Sequence, residues 1–287
     1  VSGPVGRFLP DGERLHLQHG PIDLVIGAEG PGRELALRAA ELRFATALEE
    51  LVAELPLLRS QSGPQPSGDI ARRMAEVTAV HASDGFVTPM AAVAGAVAEA
   101  ILAAMTQAGA LDRAYVNNGG DIALHLGPEA AFRVGISGLD SGPMAQIPLR
   151  HDQPVRGIAT SGLGGRSLSM GIADAVTVLA RTAAEADVAA TLIANAVDLP
   201  GHGAIRRAPA HTRDPDSDLG ARMVVIACGP LSENDISAAL SRGACRAQQM
   251  IDRDQIIGAA LVLRRQTRLL SMPNAVASDH RKRIEHA

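Results

Sequence analysis

Residues 157–198 constrain the fold of this chain more than any other stretch. They open as a polar glycine loop, Gly-Ile-Ala-Thr-Ser-Gly-Leu-Gly-Gly-Arg-Ser-Leu-Ser-Met-Gly. Thr160, Ser161, Ser167 and Ser169 supply hydroxyls, and Arg166 a cation. Residues 173–180 then have the composition of a buried strand, and the alanine-rich run 182–197 that of a helix. On such a helix Asp187 and Thr191, four residues apart, share one face. Loop, strand and helix together point to a site for phosphates or a metal.

The chain must fill its core without aromatic bulk. It has no Trp, one Tyr (Tyr115) and four Phe. Core volume therefore comes from Leu, Ile, Val and Ala, which favours closely packed elements. The same scarcity removes the ring platforms that single-stranded nucleic acid needs. With 27 Lys and Arg against 31 Asp and Glu, the net charge of −4 provides no large basic field for nucleic acid or an anionic membrane. Cys228 and Cys245 have neither metal nor disulfide spacing, and both read as small core residues. No repeat or linker divides the 287 residues, so one domain is expected over residues 1–273, with a polar tail at 274–287. There is no charged leader ahead of an apolar stretch and no run of about 18 apolar residues, so the expected location is cytoplasmic, away from the membrane.

Residues 13–27 read as two strands turning at Gly20-Pro21. Within 31–55, Leu35, Ala39, Leu42, Ala45, Leu48 and Leu51 recur at helical spacing, which predicts a helix laying that stripe on the core. Residues 69–80 are a second helix candidate. Residues 91–105 are almost wholly apolar, with Gly95 and Glu99 the exceptions, and predict a buried central helix too short to span a membrane. In 115–126 a strand is interrupted by Asn117-Asn118-Gly119-Gly120. Few apolar residues precede the break, so a glycine bend inside a sheet is expected rather than a hairpin. Residues 132–136, 223–228, 256–263 and 267–270 read as strands, with 223–228 buried. Residues 141–154 read as a connection and 200–220 as less ordered. Residues 232–250 read as a helix capped by Ser232.

Three groups of residues carry candidate chemistry. Successive amides of residues 162–166, helped by Thr160, Ser161, Ser167 and Arg166, can cradle a phosphate, or the loop is simply a turn between strands. Asp187 and Thr191 can give two oxygen ligands to Mg²⁺, or be a solvated carboxylate and a helix-satisfied hydroxyl. His81 and Asp84 can form a proton-transfer pair, or merely a turn. No Gly-x-Ser-x-Gly elbow and no P-loop occurs.

Taken in order, these segments resemble the ApbE superfamily of Mg²⁺-dependent FAD:protein FMN transferases, and more closely its UPF0280 branch, over about residues 35–199. Asn117-Asn118-Gly119-Gly120-Asp121-Ile122 is similar to the family's Asn-x-Gly-Gly-Asp-Ile strand at the flavin nucleotide. Ala159-Thr160-Ser161-Gly162 is similar to its Ala-Thr-Ser-Gly turn, and Ala186-Asp187 through Thr191 to its metal-binding Ala-Asp-Ala-x-x-Thr segment. Met90 to Gly95 is similar to the segment whose backbone carbonyl adds a metal ligand, with Ala91 the equivalent. The family's lysine before that glycine is Ala94 here. The interval that carries its His motif shrinks to residues 163–172, without a His.

The resemblance implies an α+β fold with an antiparallel-rich sheet flanked by helices, related to the T-fold. It implies an FAD- or FMN-type nucleotide held by Asn118, Gly119, Gly120, Asp121, Thr160, Ser161, Gly162 and Arg166. Mg²⁺ would be held by Asp187, Thr191 and Ala91, and a protein acceptor for FMN would be the further partner. FMN transfer or FAD pyrophosphate cleavage is one expectation; a flavin carrier without catalysis, or other chemistry on the same frame, is the alternative.

Overall fold

The computed structural model describes residues 3–137, 143–165, 167–272 and 276–277. The chain begins with strands β1 (Val5–Phe8), β2 (Leu15–His19) and β3 (Ile22–Glu29), then helices α1 (Arg33–Ala53), α2 (Leu55–Leu58) and α3 (Asp69–Ala79). A 3₁₀ turn at Pro89–Ala92 runs into α4 (Val93–Ala108). Strands β4 (Arg113–Asn118), β5 (Asp121–Leu126), β6 (Ala131–Ser137), β7 (Pro143–Arg150), β8 (Gly157–Ser161) and β9 (Ala175–Ala180) precede α5 (Ala183–Ala196). Last come β10 (Ile205–Pro209), β11 (Met223–Cys228), α6 (Glu233–Asp252), β12 (Gly258–Leu263), β13 (Gln266–Leu270) and β14 (Val276–Ala277).

Nine strands form one sheet in the order β1-β2-β3-β4-β5-β8-β9-β12-β13, and every neighbouring pair is antiparallel. The α+β expectation holds. Strand alternation explains the layering. Leu15, Leu17, Leu24, Ile26, Ala114 and Val116 point to one face, where they pack with α1, α3 and α4. On the same face, residues of β8, β9 and β12 pack with α5 and α6. The three-stranded sheet β14-β7-β6 meets the opposite face through Ile147 and Leu149, against Leu124, Leu126 and Ile158.

Helix α5 joins the two helical cores. Ala183, Ala184 and Val188 belong to the first, and Ala186, Ala189, Ala190 and Ile193 to the second. Alanine on all sides lets other backbones come close, and glycines complete the fit. A Cβ at Gly95 of α4 would lie 2.4 Å from the Ala183 carbonyl oxygen, and one at Gly157 only 2.0 Å from that of Thr182.

Several expectations needed correction. Helix α1 buries Ala36, Leu37, Ala40, Phe44, Ala47 and Leu51, whereas Leu35 and Leu42 of the expected stripe are exposed. Apolar residues occur on both faces, so their spacing alone did not identify the buried one. The Asn-Asn-Gly-Gly break is a hairpin after all: Asn118 pairs with Asp121, and Gly119 and Gly120 turn the chain at φ 66° and 116°. The few apolar residues of β4 suffice because only Ala114 and Val116 face the core. Residues 141–154 contain β7, and 200–220 contain β10, which pairs with β11. Strand β11 is buried at Val224 and Val225 but exposed at Met223 and Ile226. Cys245 is exposed on α6, not core. Pro89–Ala108 is one continuous helical stretch, long and apolar enough to cross a membrane by length and composition, and half of it is buried in the fold. Of the expected tail, 276–277 form β14, and residues 274–275 and 278–287 lie outside the described residues.

Candidate functional site

The amino-terminal ends of α4 and α5 face one another, and each helix lends a carboxylate to the other. Glu99 of α4 accepts the Ala184 N–H of α5 at 2.6 Å, and Asp187 of α5 accepts the Gly95 N–H of α4 at 3.0 Å. Both amides belong to first turns, which lack intrahelical acceptors and carry the positive end of the helix dipole. Arg73 of α3 secures the junction, donating to Glu99 at 3.0 Å and to the Thr182 hydroxyl at 2.7 Å. Thr182 in turn caps α5 by accepting the Glu185 N–H. In the sequence Glu99 is only a break in an apolar run. A single carboxylate in such a helix is itself a signal, since a charge placed there needs a partner.

The β4–β5 hairpin reaches the same junction. Asn118, buried at the end of β4, donates from Nδ2 to the Ala94 carbonyl at 3.2 Å. Asn117 Oδ1 accepts the Gly120 N–H at 2.8 Å and tightens the turn. Among the described residues, nothing lies within 4 Å of where a Gly120 Cβ would be, so they leave this turn open on its outer side. Asp121 Oδ1 accepts the Thr160 N–H of β8 at 3.3 Å, and the Thr160 and Thr177 hydroxyls are 2.9 Å apart. Hence Asn118, Asp121, Thr160 and Asp187 share a neighbourhood with the start of α4.

The electrostatics of this neighbourhood are those of crowded carboxylates. The Asp187 carboxyl is pushed well above its usual range by burial first and then by the charge of Asp121, with Glu99 adding to the effect. The Gly95 and Ala94 N–H groups oppose the shift. Among the described residues, no Arg, Lys or His side chain pairs with Asp187. Thr191 sits one turn further along the Asp187 face, and the 3₁₀ turn holding Ala91 packs against α5.

The glycine loop behaves differently from a phosphate cradle. The Leu163 and Gly164 amides donate to the Ala173 and Asp174 carbonyls at 2.8 and 3.1 Å, and the Gly165 amide donates to Gly162 at 3.1 Å. These three donors are already spent within the turn. Gly162 is required because its φ is 139° and a Cβ would press on the Asp174 carbonyl at 2.8 Å. Arg166 lies outside the described residues. The histidines do not converge. His81 is buried, with Nδ1 3.7 Å from Asp84, and His202 lies 3.5 Å from Asp235. His211 hydrogen-bonds the Gly220 carbonyl. Among the described residues, no three His, Cys, Asp or Glu side chains form a metal cluster.

Comparison with known proteins supplies the family. A family model described as AbpE bacteria matches residues 6–269, from β1 to β13. A UPF0280 protein of Methanothrix thermoacetophila is 38% identical over 189 residues, covering 62% of this chain and 75% of that protein. The chain belongs to the UPF0280 family. A UPF0280 protein of Methanoregula boonei is 37% identical over 182 residues (61% of this chain, 74% of that one). Another from Archaeoglobus fulgidus is 40% identical over 133 residues (45% and 51%). The residues matched by the AbpE bacteria model include every element of the junction between α4, α5 and the β4–β5 hairpin.

Proposed function

We propose that this UPF0280 protein binds a flavin nucleotide of the FAD or FMN type together with Mg²⁺ at the α4–α5 junction. The observation that carries the reading is the juxtaposition of Asp187 with Asp121, whose charge adds to burial in raising the Asp187 carboxyl, with no cationic side chain paired to Asp187 among the described residues. The donor set fits a hard divalent cation, which takes carboxylate, hydroxyl and carbonyl oxygens. Asp187, Thr191 and the Ala91 carbonyl would hold it, and when bound the ion would neutralise charge on the nucleotide's pyrophosphate.

The protein's own groups have separate tasks. The open Gly119-Gly120 turn lets a ligand approach the backbone, and Asn118 fixes that turn relative to α4. Thr160 and Ser161 offer hydroxyls to phosphate oxygens, with Gly162 allowing the chain to turn away behind them. Arg166 is the cation proposed to meet a phosphate.

Two outcomes follow from one bound state. In the first, the P–O–P link of FAD is broken, FMN passes to a hydroxyl acceptor and AMP leaves. In the second, the flavin is carried unchanged. The second is favoured by Ala94, by the lack of His in residues 163–172 and by the internally bonded amides of that loop. Calorimetric titration with FAD, with and without Mg²⁺, tests the common element. Mg²⁺-dependent binding is expected, weakened about tenfold or more by Asp187→Asn, which keeps the shape and removes the charge. Binding indifferent to both Mg²⁺ and the substitution would sink the reading. AMP release distinguishes transfer or cleavage from carriage.

A further inference from the structure

The exposed face of α1 carries large apolar side chains among its charges, where a solvated helix face is usually polar. With Leu37, Phe44 and Leu51 turned into the core, Leu35, Leu42 and Val52 are 58%, 76% and 56% exposed. Together with the exposed Arg38, Ala45 and Glu49 they fall at alternating spacings of three and four, which is the seam of a coiled coil. Leu35, Leu42 and Ala45 of that seam belong to the stripe that helical spacing had assigned to the core.

We infer that α1 pairs antiparallel with α1 of a second copy of this chain, about a two-fold axis passing between Arg43 and Phe44. The six seam positions are symmetric about that point. Leu35 of one protomer meets Val52 of its partner, Leu42 meets Ala45, and Arg38 meets Glu49. A two-fold interface demands this self-complementarity, because each contact must occur twice with the roles exchanged. A parallel pair would instead set Arg38 on Arg38 and Glu49 on Glu49. The charges are available: Arg38 makes no hydrogen bond or ion pair among the described residues, and Glu49 has only His19 Nε2 at 3.6 Å. The small Ala45 opposite Leu42 lets the helices close near the axis. Charged residues inside the stripe, with Glu34 and Glu41 beside it, oppose a lipid surface as the occupant. Phe8, 52% exposed, borders a shallow cavity with Arg38 and Glu41 and extends the apolar patch onto β1.

Sedimentation velocity of the full chain over a concentration series, with three variants, tests the pairing. The wild type is expected to be a dimer. Leu42→Glu should raise the dimer dissociation constant by roughly tenfold or more, as should Arg38→Glu or Glu49→Arg alone. Arg38→Glu combined with Glu49→Arg should restore the dimer, an outcome that mere loss of folding cannot produce. Circular dichroism of each variant should match the wild type, since these side chains face solvent in the single chain. A wild type that stays monomeric overturns the inference, whether the stripe serves another protein or nothing. A dimer insensitive to Leu42→Glu, or a double variant that fails to recover, overturns it equally.

Discussion

Glu99 and Asp187 show how one functional group, a carboxylate, can do different work at similar positions. Glu99 is held by Arg73 and by the Ala184 amide, so its charge is matched. Asp187 has amides but, among the described residues, no cation, and Asp121 stands near it. Glu99→Ala should therefore act on stability rather than on ligand. It leaves the Ala184 N–H and the Arg73 guanidinium without their acceptor, at about 1–3 kcal/mol. Urea unfolding should show this loss while flavin affinity stays within a small factor. His81 supplies a pH dependence. Burial, then the cation of Arg246, hold its imidazole below the usual 6.5, against the pull of Asp84. As pH falls through 6.5 the unfolded chain takes up the proton first, so stability is full above that value and declines below it. Unfolding free energies at about pH 7.5 and about 5.5 should differ in the wild type and differ less in His81→Gln. Asp84 titrates elsewhere: despite its burial, Arg246 and Arg253 keep its carboxyl below the normal range, so its loss comes only in stronger acid.

At the scale of elements, the site depends on how closely two helices can cross. Gly95 lies where α4 touches the first turn of α5, and the Asp187–Gly95 hydrogen bond exists only because the backbones approach this far. Gly95→Ala adds one methyl 2.4 Å from a carbonyl oxygen, where no flexible side chain can yield. It should cost about 1–3 kcal/mol, and because it pushes Asp187 away from α4 it should weaken Mg²⁺ and flavin binding as well. Thermal unfolding and calorimetric titration of the same preparation check both effects; a stability loss with unchanged affinity would detach the site from this crossing. Helix α6 is tied down in a different manner, by Arg246 and Arg253 reaching Asp84 at 2.9 and 3.2 Å. The pair read from sequence as His81 with Asp84 is thus a structural anchor for α6 in which the aspartate's main partners come from a distant segment.

On the scale of the whole molecule, one antiparallel sheet carries two helical cores on the same face, and α5 contributes to both. The candidate site lies where they meet, so ligand binding should report on the whole fold. A ligand that binds only the folded chain at a hundred times its dissociation constant adds about 2.7 kcal/mol of stability. If the proposed site holds FAD and Mg²⁺ together, the pair should raise the melting temperature by more than the two increments measured separately, because each ligand would strengthen the other's binding. Strictly additive shifts in wild type, or a synergistic shift surviving in Asp187→Asn, would contradict a shared site.

The amino-acid sequence by itself determined the element inventory where periodicity and end signals agree: the strand pair before α1, the capped α6, the alanine-rich α5 and the apolar α4. It also brought Asn118, Asp121, Thr160 and Asp187 into one reading, because their residue types and order resemble a family even though they are scattered along the chain. Tertiary structure decided what local pattern leaves degenerate. Helical spacing on α1 assigned Leu35 and Leu42 to the core, but the sheet's position buried Leu37 and Phe44 instead, with Leu51 common to both. Asn-Asn-Gly-Gly could bend or turn back, and pairing of β4 with β5 chose the hairpin. Loop amides that composition offers to a phosphate were claimed by the Ala173 and Asp174 carbonyls, neighbours ten residues away in sequence. The exchange of carboxylates between α4 and α5 was invisible for the same reason. A hydrogen bond between residues some ninety positions apart depends on where the helices cross, and that is set by glycine and alanine contacts no local spacing records.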